Sequence, residues 1–167
     1  PEEYYLSVFG NPEAGGTWSW RFEGHHISLH FTVVAGSITV STPTFFGANP
    51  ALVREGPLQG LRALGSKEDA GRALMTALST AQRAQALISD VAPRDIVTGN
   101  THPVDPLSPI GISAQEFDAT QLQLCRELIL TFTSQMSDQI AQLRWQKIAA
   151  DGIQSVTFAW AGVLEVG

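Results

Sequence analysis

The chain has 167 residues, of which 44% are hydrophobic and 16% charged, and a formal net charge of −6. That size and composition fit one soluble domain with a proper core. The acidic balance argues against a nucleic-acid partner: phosphates would be repelled, and Arg62, Arg72, Arg83 and Arg126 are spaced singly, with no basic run.

In chain order, PEEYYLSVFG (1–10) is expected as a short helix, with proline and two glutamates in its first turn and Gly10 at its exit. NPEAGG (11–16) reads as a loop. Three alternating segments follow. Trp18, Trp20 and Phe22 alternate with Ser19, Arg21 and Glu23; Ile27, Leu29, Phe31 and Val33 alternate with His26, Ser28, His30 and Thr32; Ile38 and Val40 alternate with Ser37, Thr39 and Ser41. Period two with one apolar face marks an antiparallel sheet resting one side on a core. Gly24-His25 and Ala35-Gly36 are the expected hairpin loops. They would pair Glu23 with His26, Arg21 with Ser28, Thr32 with Thr39 and His30 with Ser41, and gather all nine apolar residues on one face.

STPTFFGANPALVREGPLQG (41–60) is expected as an ordered loop. Ser66 is the expected cap of a helix striped by Ala70, Ala73, Leu74, Ala77, Leu78, Ala81 and Ala84 and ending near Ser89. A proline-rich connection (90–111) leads to Ser113, expected to cap a second helix striped by Phe117, Leu124, Cys125, Leu128, Ile129 and Phe132. Cys125, the only cysteine, excludes an intrachain disulfide and a cysteine-held zinc, and its stripe makes it a small core residue. Ser137 starts a third helix with Ile140, Leu143, Lys147 and Ile148, stopped at Asp151-Gly152. SVTFAWAG alternates again as a strand through Val156, Phe158 and Trp160. The expected architecture is α+β: an antiparallel β-meander with helices packed on one face, in a single domain over 1–167 that is truncated at its C-terminus. No apolar run reaches bilayer-spanning length and no signal-peptide pattern is present, so the chain is expected to be soluble without a membrane span.

Chemistry is expected on the polar face of the sheet. WRFEGHHISLHF (20–31) carries three histidines beside Arg21 and Glu23. His26 and His30, four apart on one strand, would hold their Cβ atoms roughly 13 Å apart, too far to share a metal easily. Glu23 directly across from His26 would be closer, at about 5 Å. Three readings stand side by side: a solvated polar face, a metal site, and a recognition face on which Arg21 and the hydroxyls hold an anionic or hydroxylated ligand. GHHxxxH is not HExxH, because it lacks the intervening glutamate and a helix. No GxSxG elbow and no phosphate loop occur. His102 with Asp95 and Asp105 is a weaker cluster on a loop. Trp145 and Lys147 mark either a partner surface or, for Trp145, core.

YYLSVFGNP, TWSWRFEGHHISLHFT, TPTFFGANPALVREGPLQGLRAL and VTFAWAG together resemble the bacterial domain-of-unknown-function 3500 family, over nearly the whole chain. The family brings no established activity. The resemblance implies a further strand pair beyond FAWAG, with an aromatic stretch and an asparagine- and histidine-rich motif that would bring more histidines towards His26 and His30. On that basis the leading expectation is a histidine-centred site binding a divalent metal such as zinc, with His25, His26 and His30 as ligands. Glu23 would act as base or ligand and Arg21 would hold substrate charge in hydrolase-like chemistry. The alternative is a non-catalytic module binding a small molecule or a partner.

Overall fold

A computed structural model describes residues 3–13, 15–99 and 108–165. His102 and Asp105 lie outside the described residues. The architecture is α+β, with an antiparallel five-stranded sheet and, among the described residues, four α-helices. None of those helices is long and apolar enough to cross a membrane. The chain forms two compact units, Pro1–Gly65 and Ser66–Gly167.

The first unit is the sheet: β1 (Tyr4–Phe9), β2 (Thr17–Gly24), β3 (Ile27–Val34), β4 (Ser37–Val40) and β5 (Thr44–Phe46), in spatial order β1-β2-β3-β4 with β5 also on β3. The expected N-terminal helix is instead the edge strand β1, paired along its length from Tyr4↔Gly24 to Phe9↔Ser19. Aromatic and β-branched side chains suit a pleated surface, and pairing with β2 outweighs the local helix-start signals. Gly10, read as a helix stop, turns the chain towards β2 at φ 80.

The β2–β3 hairpin turns at His25-His26, so Glu23 faces Ser28 and Arg21 faces His30. The expected register was two residues away. An even shift leaves every side chain on its face while exchanging its neighbours. Gly24 does not provide the turn; it stays in the strand, where the Tyr4 ring occupies the space a Cβ would need. The β3–β4 turn does fall at Ala35-Gly36, both left-handed at φ 50 and φ 79, the backbone of a type I′ hairpin. A bulge at Thr32/Val33 then sets Val40 opposite Thr32, on the polar side and away from its expected apolar partners. Downstream, β5 emerges from the expected loop because Thr44, Phe45 and Phe46 extend the same β3 edge beside Leu29, Ser28 and Ile27.

The second unit contains α1 (Gly65–Ala77) from its second residue on, α2 (Thr80–Ala86), α3 (Ala119–Thr133) and α4 (Asp138–Asp151). Its core is Leu74, Met75, Leu78, Ala86, Ile112, Ala114, Phe117, Cys125 and Phe158, which places Cys125 as expected. The helix expected to run to Ser89 breaks at Ser79, which caps α2 through a reciprocal box with Gln82. Ser66 lies inside α1, and Ser113 caps only a 3-10 turn, Ala114–Glu116; Asp118 with Gln121 caps α3. Each side chain wins its cap by accepting N–H groups that helix geometry leaves orphaned. The final alternating segment divides between two small ladders. β8 (Thr157–Phe158) is antiparallel to β7 (Ile112–Ser113), and β9 (Trp160–Ala161) is parallel to β6 (Leu87–Ser89).

Candidate functional site

The pleat of the first sheet sends Tyr5, Ser7 and Phe9 to the same side as Ser19, Arg21, Glu23, Ser28, His30 and Thr32. Cross-strand pairing arranges that side in three rows. Tyr5, Glu23, Ser28 and Phe45 form the first; Ser7, Arg21 and His30 the second; Phe9, Ser19, Thr32 and Val40 the third. The corners are therefore apolar or aromatic, and the centre is Arg21 beside His30.

Arg21 is held from two directions. Its Nη2 donates to Glu23 Oε1 at 2.8 Å, with both side chains about one-third exposed. The guanidinium carbon lies 5.5 Å from the Phe9 ring centroid, and the Phe9 ring stacks on the His30 imidazole at 6.0 Å and 10°. Among the described residues the buried Nε of Arg21 has no hydrogen-bond partner. Ion pairing and the aromatic face together limit the rotamers of a side chain that is otherwise costly to order.

The histidines separate. His25 and His26 occupy the turn with ring centroids 4.0 Å apart, and Tyr4 stands 6.1 Å from His25. The His26 carbonyl accepts from Gly47 N–H at 2.8 Å, tying the turn to the chain beyond β5. The expected Glu23–His26 cross-strand pair does not form, because the turn contains His26 and Ser28 takes its place opposite Glu23. Among the described residues no group of three or more His, Cys, Asp and Glu is placed to hold a metal ion.

Sequence reasoning missed Phe9, Tyr5 and Phe45. YYLSVF is a short apolar run rich in aromatic residues, a strand signal that the helix-like ends of PEEYYLSVFG obscured. Phe45 reached the face only through a three-residue strand inside a Gly- and Pro-rich segment, and no local pattern marked it.

The family model described as protein of unknown function (DUF3500) matches residues 2–167. No curated protein and no solved structure matches the chain.

Proposed function

We propose, from the premise that the chain belongs to the DUF3500 family, that the polar sheet face is a non-catalytic recognition surface for a small oxyanion-bearing ligand anchored by Arg21. The observation that carries it is the bracing of Arg21 between Glu23 and Phe9, directly opposite His30. A guanidinium already ordered by its neighbours loses less entropy on pairing with a carboxylate or phosphate, and its planar fork suits both. Ser7, Ser19, Ser28 and Thr32 add hydroxyls around it, and Tyr5, Phe45 and Phe9 bound the face where a ligand's apolar edges would rest. With a spacing of roughly 4.8 Å between strands and about 7 Å between same-face residues, three rows cover an area suited to a metabolite-sized molecule.

The test is a backbone-amide NMR titration with a panel of small carboxylates and phosphate monoesters. Shifts should cluster on residues 19–23 and 28–30 for at least one class and vanish in Arg21→Ala, which should keep its melting temperature within a few degrees. Shifts at residues 19–23 and 28–30 that survive in Arg21→Ala, or a face silent to the whole panel, would sink the proposal.

A further inference from the structure

We propose that the cleft between α3 and α4, in the second unit, is a separate binding site for a small carboxylate carrying an apolar body. The cleft is an open surface groove of about 490 Å³, lined by exposed and half-buried residues, with a volume in the range of small-molecule sites. Its construction follows from helical periodicity. Leu122, Gln123 and Arg126 recur at i, i+1 and i+4 on one side of α3, and Trp145 and Ala149 recur at i and i+4 on α4. Gly152 ends α4 at φ 83 and turns the chain so that Ile153 and Gln154 close the end.

The chemistry of the walls selects the ligand. Most of the lining is apolar, through Leu122, Trp145 and Ile153, so the body of the ligand must be apolar. One cation enters the cleft. The Arg126 guanidinium lies 5.0 Å from the Trp145 ring centroid, and among the described residues it forms no ion pair. Stacking on the indole orients the fork and leaves its edge for a planar acceptor, the geometry in which a carboxylate takes two parallel N–H bonds. Gln123 and Gln154 are the remaining polar lining groups, both neutral; the Gln123 amide already donates to Glu127 Oε1 at 2.9 Å, so Arg126 is the principal donor for the head group. One guanidinium in an apolar wall matches a singly charged head group better than a phosphate, which calls for more donors and more charge.

The experiment is calorimetry and amide NMR on the full chain with hexanoate and benzoate, each beside its alcohol of the same shape, hexanol and benzyl alcohol. The acids should bind about tenfold or more tightly than the alcohols, with shifts confined to residues 119–126 and 145–154. Arg126→Gln should bring the acids down to the affinity of the alcohols. Ala149→Leu, which fills the cleft from an exposed helix position, should weaken acid and alcohol alike; melting curves establish that both variants are folded. Equal affinity for acid and alcohol, retention of acid binding in Arg126→Gln, indifference to Ala149→Leu, or shifts centred elsewhere would each overturn the proposal. Every measurement is made in an Arg21→Ala background, so acid binding at the sheet face does not enter this test and either site can fail without the other.

Discussion

Gln82 and Gln121 exchange side-chain hydrogen bonds in both directions, each at 3.0 Å, while each also completes the capping box of its own helix. The N-termini of α2 and α3 are thereby locked to one another through the third residue of each. Gln121 is 5% exposed, and its amide is fully used. Oε1 accepts from Asp118 N–H and from Gln82, and Nε2 donates to Gln82 and to the Ala77 carbonyl at 3.0 Å.

Gln121→Glu tests that double duty. Glutamate serves a capping box as well as glutamine in an isolated helix, so a purely local role predicts little change. Here the carboxylate loses both donated bonds and faces the Ala77 and Gln82 oxygens in a site closed to water. The expected cost is roughly 2–4 kcal/mol, read by urea unfolding. A loss below about 0.5 kcal/mol would show that the amide pair contributes nothing.

Ala35 stands at φ 50 in the β3–β4 turn, followed by Gly36 at φ 79. An alanine there is strained by its Cβ, and a type I′ turn favours Asn or Gly at this position. Ala35→Asn is expected to stabilise the sheet by about 0.5–1 kcal/mol, seen as a higher midpoint in chemical denaturation. A lower midpoint would mean that the turn relaxes to another backbone.

Gly111 and Gly152 share a positive φ, of 84 and 83, but not their surroundings. A Cβ on Gly111 would run into the Phe158 carbonyl, which is fixed in the β7–β8 region, whereas one on Gly152 meets only the end of the Gln154 side chain at 3.4 Å. Gly152, at φ 83 and ψ 128, lies outside the left-handed helical basin, and Gly152→Ala should cost about 1–3 kcal/mol from backbone strain alone. Gly111→Ala should cost clearly more than that, from strain plus collision with backbone. Thermal melts of the two variants side by side decide it, and equal losses would count against the close approach.

Cys125 is buried in the core of the second unit, and burial raises its thiol above the ordinary 9.0. The unfolded chain then ionises this thiol at a lower pH than the folded chain. Its contribution to stability is whole below pH 9 and declines as the pH climbs towards the folded value. Lys67, whose ammonium is disfavoured by burial, acts in the opposite sense over an overlapping range. The cysteine contribution is therefore the difference between wild type and Cys125→Ala, with wild type losing more stability between pH 8 and pH 10.5 (roughly the span of unperturbed Cys and Lys values). The native thiol should also resist iodoacetamide at pH 8 and react promptly in urea. Prompt reaction of the native chain would contradict its burial.

The candidate face shows what a sequence carries and what it leaves open. Alternation in TWSWRFEG and ISLHFTVV already assigned Arg21, Glu23, Ser28 and His30 to one side, because a strand's side chains change faces at every residue whatever its partner. The pattern contained no information on a shift of two, which preserves every face. The register with Glu23 beside Ser28 is accompanied by contacts from β1 and from the residue after β5. Tyr4 lies across Gly24, and Gly47 holds the His26 carbonyl.

Sequence by itself thus determined the α+β class, the β2–β4 segments, the Ala35-Gly36 turn, the face each side chain in β2 and β3 takes, the helix from Ser137 to Gly152 and the burial of Cys125. These follow from local periodicity and from local turn and stop residues such as Gly36 and Gly152. Only the tertiary structure decided that Tyr4–Phe9 is a strand, that Thr44–Phe46 joins β3, and that Phe9 lies beside both Arg21 and His30 at the centre of the face. The two strand pairings and the Phe9 ring beside Arg21 come from other parts of the chain, and such partners leave no trace in the spacing of the segment that receives them. The break at Ser79 is different: its box with Gln82 is local, and the Ser-x-x-Gln spacing was a signal that the continuing alanine stripe obscured.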